Sequence, residues 1–376
     1  MTATSSATTT EKLLQAWQSP TVRPVSPAPG QHSIHSYFNT CPESPDGRWV
    51  LFFRSTTPEA HAGEVVIRHR ESGEERVLAH SVTTEDAHRV ACQQWVGRGK
   101  EVVFHDLRGD EWVVVAVNAQ TLEQRVLACG WQLGWGQPDG GQVPLYAPHY
   151  RPCGHFDLNI LQVETGEIHT ALTAGEVKRA YPAEVATVFG DRPVSIFFPI
   201  LSPDLQRVIF KLATPNDGVL RSKQASLRDF LIGYDLTSRR FLFRHKDWGH
   251  PAWAPDSRSL INAYNILIEA ETGAIRDIPG LPRFPGTHPS ISPDGKLFIT
   301  DTFTRSFGGP PGEWGLVVGD INGGAYHIIH RFDHLQGASS PRIPHPHPAM
   351  TRDGKRIYFN VSTQGWTRLH VAERQA

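Results

Sequence analysis

Three histidines, His250, His288 and His347, occupy the same position in three copies of a repeated segment. The copies read GHPAWAPDSRSLINAY, THPSISPDGKLFITD and PHPAMTRDGKRIYFN. In each copy, a His-Pro pair is followed by two residues, a small residue, a turn of the Pro-Asp-Gly kind and an alternating apolar stretch typical of a strand. Equivalent positions before equivalent strands predict that the three imidazoles face a common site.

A fourth histidine, His345, lies two residues before His347 in the sequence HPHP. In an extended segment, side chains two residues apart point to the same side, so both rings can reach the same site. Four imidazoles are typical of a site for zinc, manganese, nickel or iron rather than for calcium or magnesium. One such histidine alone could equally be structural, but the convergent set favours metal binding or catalysis. The predicted metal ligands are His250, His288, His345 and His347.

The same turn and strand recur four more times without the histidine, which gives seven copies. The turns fall near residues 46, 98, 139, 204, 256, 294 and 353, and this spacing suits four-stranded blades with variable loops. The sequence therefore predicts an all-β protein, a seven-bladed β-propeller over residues 31–376. Residues 1–30 are predicted to form an N-terminal extension with a short helix over 11–18.

In a propeller, the innermost strand of each blade starts at one face of the disk, so the residues just before it line the mouth of the central channel. The three repeated histidines stand there in blades 5, 6 and 7. We therefore expect the imidazoles to converge at one channel mouth.

Composition limits the function classes. With 39% hydrophobic residues among 376 and no run of 18 apolar residues, we expect no membrane span. The N-terminal segment lacks the charged and apolar regions of a signal peptide, and the four cysteines form no CxxC pair, which favours the cytoplasm. A net charge of −1 argues against a nucleic-acid partner but leaves room for a local basic cluster that binds an anionic sugar. Because propellers close on themselves, a monomer is favoured.

The HPxxSPDG-type repeats and the HPHP sequence resemble those of the oligogalacturonate lyases, polysaccharide lyase family 22, and of the related seven-bladed ulvan lyases of families 24 and 25. The blades also resemble those of TolB-type propellers. The resemblance covers most of the chain as repeat architecture, and its specific motifs lie in the last 130 residues. It implies a divalent transition metal, manganese first and zinc as the alternative, held by His288, His345 and His347. A glutamine ligand shortly before the histidine pair is also implied, but Arg342 stands there and the nearest glutamine is Gln336.

This resemblance implies cleavage of a uronate-containing oligosaccharide by β-elimination. The reaction removes the C5 proton, which is α to a carboxylate, and a metal or an arginine on that carboxylate stabilises the developing charge. A neutral imidazole suits the base, since its ordinary pKa lies near physiological pH. His250 is the first candidate for this base, because it has the equivalent position in blade 5 but lies outside the three implied ligands. It could instead be the fourth ligand.

The ulvan lyases imply a rival arrangement, in which a histidine and a tyrosine carry the chemistry, an arginine neutralises the carboxylate and the metal is structural. The first half of the chain supplies candidates for these roles in EDAHRVACQQW and LYAPHYRPCGHFD. The candidates are His88, Tyr146, Tyr150 and Arg151. Aromatic rings mixed with polar donors are common on sugar-binding surfaces.

An anionic substrate also needs cations. A long insertion, NDGVLRSKQASLRDF, contains Arg221, Lys223 and Arg228, and a second loop, TFTRSFGGPPGEWG, contains Arg305. Long loops in a compact fold are often functional, and bidentate arginine is the expected partner of a carboxylate. The predicted substrate-binding residues are Arg151, Arg221, Lys223, Arg305 and Arg342.

Two other functions stay open. The first is a non-catalytic propeller that binds protein partners through one face, although such a scaffold has no need of four histidines at one channel mouth. The second is a metal-dependent hydrolase, whose sites usually include carboxylate ligands. The repeated aspartates of this chain are better interpreted as turn residues.

Overall fold

The structure, a computed structural model, describes residues 9–152, 156–282, 284–334 and 337–375. Within these residues the strands form seven antiparallel blades of four strands, which confirms the predicted seven-bladed β-propeller. Six of the blades, blades 1 to 6, are formed by consecutive strands. The strands of blade 2 are Gln94–Val96, Glu101–Arg108, Glu111–Asn118 and Gln124–Cys129, and those of blade 3 are Gln132–Leu133, Gln142–Tyr146, Leu158–Gln162 and Ile168–Leu172.

Blades 4, 5 and 6 follow the same plan along the chain. The strands of blade 4 are Ser195–Leu201, Arg207–Pro215, Ser226–Asp235 and Arg240–His245. Those of blade 5 are Ala252–Trp253, Ser259–Asn262, Ile266–Glu269 and Ile275–Asp277, and those of blade 6 are Ser290–Ile291, Leu297–Phe303, Glu313–Asp320 and Tyr326–Asp333.

The ring closes between the last blade and the first. Blade 1 has the strands His32–Ile34, Trp49–Ser55, Ala62–His69 and Glu75–Thr83, and blade 7 has Ala349–Met350, Arg356–Thr363 and Trp366–Glu373. The outer strand of blade 7 is Thr21–Pro24, which pairs antiparallel with Trp366–Glu373. Part of the predicted N-terminal extension therefore belongs to the last blade. Arg356 reinforces the closure, because its guanidinium bonds both carboxylate oxygens of Glu43 at 2.8 Å.

Helices are short. One spans Thr9–Ala16, where the sequence predicts a helix over 11–18, and Trp17 just after it is buried against blades 6 and 7. Two more, Ala174–Ala180 and Pro182–Phe189, connect blades 3 and 4, and 3₁₀ turns occupy Gly97–Gly99, Ala263–Asn265 and Thr304–Phe307. In the part of the chain that the structure describes, none of the helices has the length and apolar character needed to cross a membrane.

The repeated turns join the first and second strands of the blades, and their aspartates act within the turns, as the sequence predicts. In blade 6, Ser292 donates its hydroxyl to Asp294 at 2.6 Å, and the same bond joins Ser202 to Asp204 at 2.6 Å. Since strands alternate in direction, the loops before the first strand and after the second strand meet at the opposite face of the disk. That face carries the histidines, and we call it the histidine face.

Blade 1 departs from the plan in a way that shapes the channel. Its first strand pairs with Trp49–Ser55 at His32–Ile34 and again at Glu43, and the residues between leave the sheet. This excursion places Tyr37 and Phe38 in the core at the centre of the propeller. The Tyr37 ring stacks on Trp135 of blade 3 with centroids 5.3 Å apart.

Candidate functional site

The three repeated histidines converge, as the sequence predicts. Each stands two residues before the first strand of its blade. The ring of His288 lies at the centre of the group, with centroid distances of 4.6 Å to His250, 4.6 Å to His347 and 5.1 Å to His345. The four predicted metal ligands therefore belong to one cluster.

A fifth imidazole completes this group. His88, from the loop between blades 1 and 2, has its ring 4.6 Å from both His345 and His347. One ring nitrogen from each of these three residues lies within 4.8 Å of the other two, a separation that a single metal ion can bridge. The sequence predicts His88 near a channel mouth, as a catalytic residue of the ulvan-lyase-like arrangement. The structure places it beside the candidate metal ligands His345 and His347. We call these five residues the histidine cluster: His88, His250, His288, His345 and His347.

A buried carboxylate orients His288. Asp301, on the second strand of blade 6, lies 2.7 Å from His288 Nδ1 and also accepts the backbone N–H of His288 at 2.9 Å. Because a carboxylate only accepts, Nδ1 carries the proton and Nε2 keeps its lone pair, which points to His345 Nδ1 at 3.3 Å. A carboxylate behind an imidazole is the usual support of a metal-binding histidine, since it fixes the tautomer and raises the basicity of the ligand.

The other rings are also arranged to present free nitrogen atoms. His88 Nδ1 lies 3.0 Å from the backbone oxygen of Ile343, so this nitrogen donates and Nε2 is left available. His347 is fully buried, and among the residues that the structure describes neither of its ring nitrogens has a hydrogen-bond partner. An unpaired polar group in the interior costs about 1–3 kcal/mol. A ligand for His347 Nδ1 or Nε2 would remove that cost.

Burial keeps the cluster uncharged. Burial is the main reason that the pKa values of His288 and His345 are lowered to about 3, and for His345 the neighbouring His288 contributes to this lowering. The pKa values of His88, His250 and His347 are lowered as well, first by burial and then by the adjacent imidazoles. Neutral rings are the form in which histidine binds metal ions or removes a proton.

The donor set fits a transition metal. His88, His345 and His347 offer three convergent nitrogens, and the oriented Nε2 of His288 lies beside them. This nitrogen-rich donor set suits a transition metal such as zinc or iron rather than calcium. Gln336, the nearest glutamine to the implied fourth ligand, lies outside the described residues.

Several contributors to the site were not predicted. Asp301 supports His288, and the Tyr37 ring contacts His347 at 4.6 Å and His88 at 5.9 Å. A signal for Asp301 was present, because in the second strands of blades 5, 6 and 7 a short apolar run is followed by a polar residue, Asn262, Asp301 or Asn360. The residues at this place also bind the histidine backbone: Asn262 accepts the N–H of His250 at 2.6 Å, and Asn360 donates to the carbonyl of His345 at 3.1 Å.

The predicted tyrosines have other contacts. Tyr146 is fully buried, with its hydroxyl 3.3 Å from the Arg89 guanidinium and its ring against Phe197. The Tyr150 hydroxyl accepts the indole N–H of Trp112 at 3.1 Å. In the described part of the chain, no ring contact joins either tyrosine to the histidine cluster. Burial also raises the pKa of Tyr146, so this phenol is held in its neutral form.

The predicted cations all lie on loops of the histidine face, but only two adjoin the cluster. Arg342 and Lys223 line a cavity of about 470 Å³ together with His88 and His345. Arg342 also donates to the backbone oxygen of Lys223 at 3.2 Å, which ties the two loops together.

The remaining predicted cations are held elsewhere. Arg221 donates twice to the backbone oxygen of Thr84, at 2.9 and 3.2 Å. Arg151 donates to the backbone oxygen of Asp110 at 2.5 Å. Arg305 lines a separate cavity at the rim of blade 6, beside the exposed ring of Phe303.

Fold and geometry together define a class: a seven-bladed β-propeller with a cluster of neutral imidazoles at one channel mouth. Among solved structures, an oligogalacturonate lyase in complex with manganese shares the fold, with a TM-score of 0.65 and 18% identity over 94% of this chain and 93% of that chain. An oligogalacturonate lyase from Vibrio parahaemolyticus gives 0.66 and 17% over the same shares. The likeness to these lyases that the histidine motifs indicate is thus confirmed for the fold.

Other comparisons show that the fold alone does not identify the function. A chain of a mitotic checkpoint complex matches with a TM-score of 0.54 and 13% identity, over 96% of this chain and 93% of that chain. No protein-family model matches the sequence, and no curated protein matches it either. Because propellers serve many functions, the function of this chain has to be argued from its site.

Proposed function

We propose that this protein is a metal-dependent lyase that cleaves uronate oligosaccharides by β-elimination. The observation that carries the proposal is the histidine cluster, in which five neutral imidazoles from four places in the chain meet. Within the described part of the chain, the buried ring of His347 has no partner for either nitrogen. The shared fold of two oligogalacturonate lyases, one of them in complex with manganese, supports the same function.

His88, His345 and His347 would hold the metal, with His288 as the next ligand. Manganese is the first candidate because of the complex named above, and zinc is the alternative. When bound, such an ion supplies a positive charge that neutralises a uronate carboxylate and so stabilises the charge that develops as C5 loses its proton. The task of Asp301 is to keep the Nε2 lone pair of His288 directed into the cluster.

His250 is the proposed base. Its ring adjoins that of His288 with centroids 4.6 Å apart, and Asn262 fixes its position by accepting the His250 backbone N–H. The lowered pKa keeps the imidazole neutral and ready to accept the C5 proton. A water molecule or a protonated side chain would then deliver a proton to the departing O4 atom.

Arg342 and Lys223 are the proposed partners of the substrate. Both line the cavity that also contains His88 and His345. The hydrogen bond from Arg342 to the backbone oxygen of Lys223 holds their two loops together. Cations at this mouth would attract an anionic oligosaccharide and orient the carboxylate of the unit that is cleaved. We further propose that the protein acts as a monomer in the cytoplasm, with no nucleic-acid partner.

Ultraviolet absorbance tests this function directly. Elimination creates a conjugated unsaturated uronate, so incubation with galacturonate oligomers or ulvan fragments should raise the absorbance in the presence of Mn²⁺ and not in EDTA. His250→Ala should abolish the rise, whereas the control His169→Ala, on an exposed outer strand of blade 3, should retain it. A rise that survives complete metal removal would shift the chemistry to His88 and the tyrosines. No rise with any substrate would contradict the proposal.

A further inference from the structure

A cavity of about 560 Å³ opens at the rim of blade 6 on the histidine face, and its lining residues differ from those of the cavity beside the histidine cluster. Its wall combines the Phe303 ring, the Arg305 side chain and the adjacent prolines Pro310 and Pro311. The volume lies within the range of small-molecule sites, about 300–1,000 Å³. We call this hollow the rim cavity.

An aromatic ring forms one wall of the rim cavity. Phe303 ends the second strand of blade 6 and is 44% exposed. Its cross-strand neighbour is Trp314, whose ring centre lies 4.1 Å away. Trp314 is buried and lies between Phe303 and the histidine cluster, with its ring 6.0 Å from that of His345. Phe303 is therefore held by a buried ring, while part of its own surface faces the cavity.

The loop that carries Arg305 is fixed by its own hydrogen bonds. A 3₁₀ turn over Thr304–Phe307 ends at Gly308, and Gly309 donates its backbone N–H to the carbonyl of Thr304 at 3.0 Å. A Cβ atom on Gly309 would overlap the hydroxyl oxygen of Thr304, so this close approach requires glycine. The loop therefore sets the place of Arg305 before a ligand binds, which lowers the entropic cost of binding.

The acid of the cavity wall is already engaged. Glu313 Oε1 accepts the Thr304 hydroxyl at 2.6 Å and an N–H of Arg331 at 3.0 Å. The bond from Thr304 and then that from Arg331 lower the pKa of Glu313, so the carboxyl is ionised and paired. The side chain of Arg305 stays exposed at the cavity wall. A cation beside an aromatic ring suits an anionic ligand that also has an apolar face.

We propose that the rim cavity binds a free uronic acid, with its sugar ring against Phe303 and its carboxylate on Arg305. The C–H groups of a sugar ring form an apolar face that fits an aromatic ring, and arginine binds a carboxylate through two N–H groups. Ser306, exposed in the same wall, offers a hydroxyl to the hydroxyl groups of the sugar. This ligand is a separate molecule from any substrate at the histidine cluster, and its binding needs neither metal nor elimination.

Titration of metal-free protein with monomeric galacturonate, followed by ligand-observed NMR, tests the site. A dissociation constant of about 1 mM is expected for a ligand of this size. Neutral galactose should bind about 10-fold more weakly, because it lacks the carboxylate. Arg305→Gln should weaken the binding of galacturonate about 10-fold and leave that of galactose unchanged. Arg305→Lys should restore part of the loss, and Phe303→Ala should weaken galacturonate as well.

Two further arginines show where the sugar binds. Arg179→Gln, on the helix between blades 3 and 4, is the matched control and should bind galacturonate as the native protein does. Arg342→Gln removes a cation of the other cavity, and the loss caused by Arg305→Gln should be the same in this background, as for independent sites. A loss that disappears in the Arg342→Gln background would place the ligand beside the histidine cluster and overturn the proposal.

Benzoate separates two sources of a ring that carries a carboxylate. Weaker binding of benzoate than of galacturonate supports a sugar acid, whereas tighter binding with the same dependence on Arg305 would overturn that assignment. The outcome is also independent of the lyase proposal. Arg305-dependent binding without any turnover would contradict the elimination and leave the rim cavity as a ligand site. Turnover without Arg305-dependent binding of galacturonate would overturn the rim site and leave the elimination standing.

Discussion

The two halves of the propeller contribute different chemistry to the same face. In blades 5, 6 and 7, the position four residues before the repeated turn carries a histidine, whereas blades 2 and 4 carry Cys92 and Phe198 at that position. Cys92, Phe198 and His347 even share a left-handed backbone, with φ of 51°, 58° and 48°. The same backbone position therefore holds an apolar residue in one half and a candidate metal ligand in the other.

Charge is divided in the opposite way. Apart from Arg342, the buried or partly buried cations around the mouth come from blade 4 and the loop before blade 2, as Lys211, Arg228 and Arg89 show. Non-glycine residues with left-handed φ are uncommon, so their recurrence shows that the blade geometry was kept while the side chain changed. The comparison teaches that blades 5, 6 and 7 supply four of the five imidazoles of the histidine cluster, whereas blade 4 and the loop before blade 2 supply most of the buried positive charge beside it.

The largest effect is expected when the histidine of blade 7 is replaced by an apolar residue, as found at the equivalent position of blades 2 and 4. His347→Leu should lower the elimination rate about 10³-fold, on the scale expected for loss of a catalytic metal. The metal-free variant should also melt at a higher temperature than metal-free native protein, because two buried nitrogens without partners are removed. Initial rates and thermal unfolding in EDTA measure both effects.

Cys92→Ala is the matched control for that experiment. It alters the equivalent position in blade 2, where the buried thiol packs in the core. It should lower the melting temperature and leave the rate per folded molecule unchanged. A rate loss as large as that of His347→Leu would show that the position matters for packing alone.

On the cationic half, Arg89→Met should act on stability. The guanidinium lies 3.2 Å from Glu85 and 3.7 Å from Asp86, and all three side chains are buried. Removing one member of such a group leaves uncompensated charge and costs about 3–5 kcal/mol in the free energy of unfolding. Urea unfolding measures the loss. Metal affinity should be unchanged, and a variant that folds normally but binds no metal would break the proposed division between the halves.

Asp301→Asn tests the support behind the ligands. Asparagine lacks the negative charge that Asp301 presents to His288 Nδ1, so the metal affinity should fall about 10- to 100-fold. Competition with a chromophoric chelator gives the affinity. Asp294→Asn is the control in the same blade, because that carboxylate serves only the turn at the opposite face. Equal losses in both variants would argue against a role in positioning His288.

The last prediction concerns pH and a histidine outside the cluster. Burial lowers the pKa of His105 in blade 2 to about 3, and its Nδ1 accepts the backbone N–H of Leu133 at 3.0 Å. Because the ordinary pKa is about 6.5, the unfolded chain binds the proton first, and stability present above pH 6.5 is lost as the pH falls toward 3. Urea unfolding should show a loss of up to about 1.4 kcal/mol per pH unit for this residue.

Metal binding should not alter the contribution of His105 to the pH dependence of stability. In His105→Gln, the acid-dependent loss of stability should be shallower than in the native protein, with or without Mn²⁺. An acid loss unchanged by this substitution would place the sensitivity in other groups.

Much of the fold could be predicted because its signals are local and repeated. The Pro-Asp-Gly turns sit at blade intervals, and the His-Pro pairs before short strands predict that His250, His288 and His347 converge. His345 followed from the alternation of an extended segment. These inferences depend only on neighbours in sequence and on the symmetry of a propeller.

What could not be predicted depends on contacts between blades. His88 comes from a loop without the repeat, so its approach to His345 is visible only in three dimensions. Lys211 lies in an ordinary strand pattern, and its approach to the Trp248 ring is a property of the packed centre. Tyr146 was predicted to be catalytic for the same reason, because its local sequence does not show that its hydroxyl accepts a hydrogen bond from Arg89.

The metal content of the purified protein tests the central claim most directly. After incubation with Mn²⁺ and removal of free ion, elemental analysis of the native protein should give about one ion per chain. His347→Leu should retain almost none under the same conditions. A native protein that binds no transition metal, or a variant that binds as much as the native protein, would contradict the account of the histidine cluster as a metal centre.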